Sequence, residues 1–524
     1  MHLAVVHVVK LIKYFSVISA LGLVGCQLPD NQGQHQQAKL AQHHSQQSIS
    51  YETIPQQVTE GLSQFYTLED PFTSIAARIH LIQQAQHQLD LQYYIWNNDP
   101  IGRYVLGELL KAADRGVKIR LIIDDQNGNQ LDDLLLSLAQ HQHIQIGIFN
   151  PYKYRDARWL DMLTRSLHIN QRMHNKLIVR DGLYALTGGR NISAEYFDAG
   201  QKFQFTDLDV MFYGASAQQA QDSFDAYWQS DLNYSIEQLL RSKHVTPLDQ
   251  LRQQFANEAH LLVKEQQVIT LALTDVQRAF DDTAKDWVPT QFYADVPEKA
   301  KGINYVAQEQ LLIYRLFEHM GRPDEHLELV SAYFVPGNKG VDYIGSLRER
   351  NIPVRILTNS LAANDVALVH AYYAPYRKAL LKQGVKLYEF KPYLDRDRTW
   401  YERVSGNVIP AKERARSSLH AKFFDIDGHV FIGSFNFDPR SAYLNTEVGV
   451  AIDSDPLQNR LTQALDEYLP LIAYELVLNE NDDIIWREYL PNGNVIEHAH
   501  DPHTTRFQRA VMAIIAIFPF EWMM

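Results

Sequence analysis

One cysteine, Cys26, stands among 524 residues, so intramolecular disulfides and multi-cysteine metal sites are excluded before any pattern is sought. An excess of positive charge is missing as well. With 49 basic and 62 acidic side chains the formal net charge is −13, which argues against a protein that works by wrapping a phosphate backbone, so no nucleic-acid partner is expected. Glycine (25) and proline (20) are scattered, which excludes fibrous and low-complexity classes. The apolar stretches at the two ends of the chain are both too short to span a bilayer. What remains is an apolar fraction of 46% in a chain long enough for two to four domains with full cores.

The first 25 residues carry Lys10 and Lys13 and then a dozen mostly apolar residues from Tyr14 to Gly25, the proportions of an export signal. The run ends Leu23-Val24-Gly25-Cys26, which resembles a bacterial lipoprotein processing site, where the cysteine becomes the lipid-modified N-terminus. Gln27 follows it; an aspartate there would resemble the inner-membrane retention signal, so the expected location is the cell envelope, facing the periplasm and leaning to the outer membrane. Residues 26–60 are rich in Gln, His and Ser and read as a flexible tether, His43 and His44 included.

Beyond the tether the chain alternates helical and strand periodicities. Arg78–His87 and Gly102–Arg115 have helical spacing, while Leu89–Trp96 and Val117–Ile123 read as strands. The same order returns later, with Leu327–Val335 as a strand, Val341–Arg350 as a helix and Ile352–Thr358 as a strand. Arg115-Gly116-Val117-Lys118-Ile119-Arg120 matches Arg350-Asn351-Ile352-Pro353-Val354-Arg355 in pattern. A repeat this long means two similar domains packed together, not a solenoid. The expected boundaries are 61–243 and 302–506, with a helical connector outside the sheets at 244–301 and an apolar C-terminal segment at 507–524.

Each half carries one chemical motif. Met173-His174-Asn175-Lys176, Asp181 and Gly188-Gly189-Arg190-Asn191 correspond to Leu419-His420-Ala421-Lys422, Asp427 and Gly433-Ser434-Phe435-Asn436. Both read His-x-Lys-x4-Asp, a triplet expected by chance roughly 0.05 times in this composition, so two copies at matching repeat positions carry weight. Residues two apart on a strand share a face, and His174 and Lys176, like His420 and Lys422, project together. A two-fold arrangement brings two imidazoles and two ammonium groups to one phosphodiester, with Asn191, Asn436 and Ser434 as neutral groups beside it. A nucleophilic imidazole needs a carboxylate to fix its tautomer, and Asp209 and Glu447 are the expected orienting groups. Asp181 and Asp427 precede glycines at strand ends and read as turn-shaping residues.

The duplicated motif is that of the phospholipase D superfamily, which the chain resembles. The phrases at Leu89–Trp96, Met173–Lys176, Gly188–Ile192, Ile356–Ala374 and Gly433–Gly449 are similar to those of the bacterial cardiolipin synthases, from about residue 73 almost to the C-terminus. The resemblance implies an α/β fold of two phospholipase D-like domains, each a mixed sheet flanked by helices, packed as a pseudo-two-fold dimer within one chain. It implies phosphatidyl transfer without metal or other cofactor: His174 attacks a donor phosphodiester to give a phosphohistidine, and His420 serves as acid and then base. The implied donor is phosphatidylethanolamine or phosphatidylglycerol and the acceptor phosphatidylglycerol, with the bilayer as partner and no protein partner indicated. A hydrolase that uses water as acceptor would carry the same residues, and a nucleic-acid phosphodiesterase is disfavoured by the acidic charge. Val511–Phe518 with Trp522 suits either an interface anchor or a final helix packed on the core, and the basic run from Arg396 to Arg416 reads as a solvated loop, with contact to anionic lipid head groups as the alternative.

Overall fold

The computed structural model describes residues 28, 31, 54–197, 203–240, 244–261, 263–281, 286–393 and 416–524. The export signal, Cys26, most of the tether and the basic run short of Arg416 lie outside the described residues.

The first half contributes β1 (Leu62–Leu68), β2 (Gln88–Tyr93), β3 (Lys118–Asp124), β4 (Ile144–Phe149), β5 (Lys176–Arg180), β6 (Tyr184–Gly188), β7 (Phe203–Thr206), β8 (Asp209–Gly214) and β9 (Asn233–Ser235). The second contributes β10 (Val288–Ala294), β11 (Leu327–Ser331), β12 (Val354–Asn359), β13 (Lys386–Phe390), β14 (Arg416–Leu419), β15 (Lys422–Ile426), β16 (His429–Gly433), β17 (Val448–Asp453), β18 (Ala473–Leu478), β19 (Ile484–Tyr489) and β20 (Val495–His498). Eighteen strands form one continuous mixed sheet in the order β9-β4-β3-β2-β5-β6-β8-β1-β10-β17-β16-β15-β11-β12-β13-β18-β19-β20. Read outward from the centre, the order β1-β8-β6-β5-β2-β3-β4-β9 is mirrored by β10-β17-β16-β15-β11-β12-β13-β18. Parallel pairs fall at equivalent places, β2–β3–β4 and β11–β12–β13. Two equivalent strands, β1 and β10, pair antiparallel at the join with Leu62 opposite Pro289, which is how a two-fold relation between halves is built into one sheet.

Helices cover the sheet and begin on a repeated signal. Asp70-Pro71 opens the helix Pro71–Gln84 and Asp99-Pro100 opens Pro100–Asp114. In each, the aspartate accepts from backbone N–H groups of the first turn while proline, lacking the N–H, sets the helical φ. The central strands are buried on both faces; on β2 Asp90 is compensated by Arg120 at 2.7 Å, while Gln92 donates to Met173 Sδ and leaves its Oε1 without a partner. One apolar cluster runs through both halves, including Leu177, Val210 and Phe212 from the first and Phe292, Phe423 and Val450 from the second. Each such side chain buried contributes about 1.5–3 kcal/mol, so the halves share a core and are not separately folded beads.

The connector differs from the expectation in one respect. Leu248–Leu261 and Val263–Asp281 are helical and fold back on the first half, with Arg103 paired to Glu258 at 2.6 Å. Val288–Ala294, however, is β10, the strand that joins the two halves. Pro289 reads as a breaker in sequence, but it stands beside the end of the strand register, where a missing N–H costs little.

Candidate active site

The two motifs meet across the join by exchanging backbone contacts. β7 and β14 form a separate parallel pair, with Leu419 opposite Thr206. The His420 N–H donates to the Thr206 carbonyl at 2.7 Å, and the His174 N–H donates to the Thr446 carbonyl at 2.9 Å. Each histidine is therefore pinned by a threonine of the other half, and the residue after that threonine is acidic. His174 Nδ1 lies 2.8 Å from Glu447 Oε2, and His420 Nδ1 lies 2.7 Å from Asp207 Oδ2. A neutral ring whose Nδ1 donates to the carboxylate presents an unprotonated Nε2, the arrangement a nucleophile or base requires; Lys422 Nζ also lies 2.9 Å from His420 Nδ1.

Asp209 does not orient an imidazole. It is fully buried between Arg78 and Arg190, 3.0 and 3.2 Å from their guanidinium nitrogens, and accepts from Ser74 Oγ. The sheet register explains the difference: Asp209 opposes Gly188 and Gly449 opposes Gly433, so the partner of Glu447 in the repeat is Asp207. Thr206-Asp207 and Thr446-Glu447 show the same correspondence in sequence, a signal available from the threonines.

The anchoring residues behind the motifs were also missed. Asp124, at the end of β3, accepts from the Met173 N–H at 2.8 Å and from Arg172 at 3.1 Å. Asn359, at the end of the equivalent β12, clamps Leu419 by accepting from its N–H at 2.9 Å and donating to its carbonyl at 2.8 Å. Aromatic rings wall the histidines: Tyr94 lies edge-on to His174 at 4.8 Å, and Tyr196 and Phe205 flank His420 at 5.1 and 5.0 Å.

Lys176 and Lys422 turn back to the carbonyls of His174 and His420. Ser434 is committed to positioning, since its hydroxyl donates to Glu447 Oε2 and accepts from the Val448 N–H at 3.0 Å. Its counterpart Gly189 has no room for a side chain, because a Cβ there would stand 2.1 Å from Asp207 Oδ1. Asn191 Oδ1 accepts from the Ile95 N–H at 3.2 Å while its amide donates to Tyr196 at 2.8 Å; Asn436 Oδ1 accepts from the Tyr333 N–H at 3.3 Å. Asp181 and Asp427 take no part. Both have positive φ (50° and 53°), and each carboxylate accepts three consecutive backbone N–H groups, of Gln86–Gln88 and of Asp324–His326. They sit at the far ends of β5 and β15, roughly 17 Å from the lysines.

Burial dominates the electrostatics. It holds both imidazoles well below their usual range, reinforced at His174 by Lys176, Lys422 and Arg440 and at His420 by Lys422 and Lys176. Burial also lowers the lysines, Lys176 well below its usual value and Lys422 to about 8, despite nearby carboxylates. The carboxyls move the other way: burial raises Asp207 against the pull of Lys422 and Arg190, and pushes Glu447 up to about 7 against Lys176.

Two segments with exposed apolar side chains meet at Arg440, whose charge acts on His174. Arg440 ties them together, bonding the Asn170 carbonyl at 3.0 Å, its side chain at 2.7 Å and the Met523 carbonyl at 2.9 Å. The segment before His174 exposes Trp159, Met162, Leu163 and Leu167, and the C-terminal segment exposes Phe507, Ile514, Ile517 and Trp522. The helix Arg506–Ile515 docks at its end through the Tyr372 hydroxyl, which donates to the carbonyls of Ile515 and Phe518. Among the described residues no helix is long and apolar enough to cross a membrane.

Known proteins share this organisation. A family profile described as "Cardiolipin synthase, PLD-like domain" matches twice, at residues 78–228 and 316–469. The chain is 38% identical over 471 residues to "Cardiolipin synthase C" of Escherichia coli (strain K12), covering 88% of this chain and 97% of that one. It is 26% identical to "Cardiolipin synthase" of Geobacillus kaustophilus (strain HTA426), over 78% and 66% of the two chains. Among solved structures, phosphatidylserine synthase of Haemophilus influenzae Rd KW20 superposes with a TM-score of 0.54 at 16% identity, covering 88% of this chain and 95% of its own. With both motifs, the mirrored sheet and these likenesses in agreement, the chain belongs to the cardiolipin synthase family of phospholipase D-like proteins.

Proposed function

We propose that the protein is a cardiolipin synthase that transfers a phosphatidyl group to phosphatidylglycerol through a phosphohistidine on His174. The observation that carries the reading is the pair of buried histidines, each with Nδ1 on a carboxylate of the opposite half. Burial, reinforced by Lys176, Lys422 and Arg440, keeps His174 neutral for attack; burial lowers His420 too, so the choice of His174 as nucleophile rests on the resemblance to the phospholipase D superfamily. His174 Nε2 attacks the donor phosphorus; the P–O bond to the head-group alcohol breaks, and His420 gives that oxygen its proton. The head-group of phosphatidylglycerol then enters, His420 removes its hydroxyl proton, and the alkoxide displaces His174 to leave cardiolipin. Lys176 and Lys422 compensate charge on the phosphoryl oxygens; the arriving anion in turn favours the charged forms of both lysines and of His420. Glu447 and Asp207 fix the tautomers and stabilise each imidazolium as it forms.

The setting supports a lipid substrate. Exposed apolar side chains on both segments tied by Arg440 give the site a rim suited to the interfacial region of a bilayer. With acylation at Cys26, the rim would be held to an envelope membrane on its periplasmic face. Purified protein given phosphatidylglycerol vesicles, with and without phosphatidylethanolamine, should form cardiolipin, and His174→Ala should not. Cardiolipin that requires phosphatidylethanolamine names it as donor. Phosphatidic acid as the only product, lost in the variant, would make the protein a hydrolase and overturn the transferase reading.

A further inference from the structure

At the opposite end of the second half, three side chains converge that the transfer reaction does not use. His429 is the first residue of β16 and Asp453 the last of β17, and the antiparallel register sets them side by side. His319 reaches them from the last turn of the helix Leu312–Met320. His429 Nδ1 lies 2.7 Å and His319 Nε2 3.6 Å from the same oxygen, Asp453 Oδ1, and the three donor atoms fall within 4.8 Å of one another. The His319 contact is too long for a hydrogen bond, and its Nε2 is buried without a hydrogen-bond partner. The ring is held in place between Tyr293 and His429, at 5.8 and 5.9 Å. An imidazole nitrogen aimed at a shared carboxylate and left unpaired is a group waiting for a ligand.

We infer that His319, His429 and Asp453 form a binding site for a divalent ion of the zinc type, which staples the helix Leu312–Met320 to the ends of β16 and β17. Tetrahedral zinc, with bonds of about 2.0–2.1 Å, places its donors about 3.3–3.4 Å apart. The 3.6 Å separation is close to that value, and the 2.7 Å contact opens by side-chain rotation as His429 moves its proton to Nε2. Two imidazoles and a carboxylate favour zinc, cobalt or nickel over magnesium and calcium, which prefer all-oxygen shells. The fourth position is left for water. Asp453 is separated from Glu447 by the whole length of β17, so the ion would act on stability and not on phosphoryl transfer.

The test uses the full-length protein stripped with EDTA and titrated with zinc by calorimetry, and with cobalt by visible absorption, beside His319→Gln and the double variant His319→Gln/His429→Gln. Comparison with the variants separates this site from the chain's other histidines. The wild type should bind one more equivalent than the double variant, show a cobalt absorption band the double variant lacks, and gain several degrees in Tm at saturating zinc. Circular dichroism checks that the variants fold. Equal stoichiometry, equal cobalt spectra or an equal zinc-dependent Tm shift in wild type and double variant would overturn the inference. Neither result depends on whether the protein makes cardiolipin.

Discussion

His420 Nδ1 lies 2.7 Å from Asp207 Oδ2, a carboxylate supplied by the other half of the chain. The reciprocal pair, His174 with Glu447 at 2.8 Å, means that neither half holds a complete site. The neighbouring Asp209 is occupied by two arginines. Asp207→Asn is therefore expected to fold normally and lose roughly 1,000-fold or more in turnover, as when a triad aspartate is made neutral. Asp209→Asn should instead lower stability by about 3–5 kcal/mol by leaving buried guanidinium charge uncompensated. Thermal melts and initial rates on both variants check the distinction.

That distinction marks where sequence reasoning stopped. The His-x-Lys-x4-Asp pattern needs only residue types and short spacing, so His174, Lys176, His420 and Lys422 were legible, as was the repeat of strands and helices. Asp207 and Asp209 are two apart in an alternating stretch and look alike until the β6–β8 register places Asp209 opposite Gly188. The exchange of carboxylates between halves depends on β1 meeting β10, a pairing separated by more than 200 residues and hidden by Pro289. Ser434 reads as a substrate-binding group in sequence because nothing local shows that its hydroxyl is already committed to Glu447.

The site's small residues are predicted to be as sensitive as its charged ones. Gly189→Ala puts a methyl group where Asp207 Oδ1 stands, so the carboxylate must leave His420 and activity should fall at least as far as in Asp207→Asn. Ser434→Ala removes a hydrogen bond to the Glu447 carboxylate, worth about 1.5–3 kcal/mol, and the acceptor of the Val448 N–H, and should cost roughly 10- to 100-fold in kcat with some loss of stability.

The pH profile follows from the shifted groups. Glu447, raised to about 7 by burial, must be ionised to hold the His174 tautomer, and Lys422, lowered to about 8, must be protonated to hold phosphate. The profile of kcat/KM, which reports the free enzyme, should rise through about 7 as Glu447 ionises and fall again on the alkaline side as the lowered Lys176 and Lys422 lose their protons. Lys422→Arg should move the alkaline limb upward in whatever activity remains. The stability signs run oppositely to those of a salt-bridged surface pair. The folded state binds the Glu447 proton more tightly than the unfolded state, so this group makes the protein less stable as pH rises from about 4.5 to 7. Lys422 is the reverse, adding stability as pH rises from about 8 to 10.5. Glu447→Gln should flatten the acidic part of a Tm-against-pH curve.

The exposed apolar rim is predicted to act in binding and not in chemistry. Phe507 and Ile517 are 77% and 79% exposed, and each replaced by Ser should weaken vesicle binding roughly 10-fold. Turnover of a short-chain soluble phosphodiester should be unchanged. Vesicle flotation and the soluble assay together separate the two effects.

The covalent intermediate is the central claim. His420→Ala should be incubated with a phosphatidyl donor carrying a p-nitrophenol leaving group, which departs without an acid, and the protein then digested and analysed by mass spectrometry. The account predicts a phosphatidyl adduct on His174, long-lived because no base remains to activate an acceptor. Absence of any adduct, or an adduct on His420 when His174→Ala is treated in the same way, would contradict it.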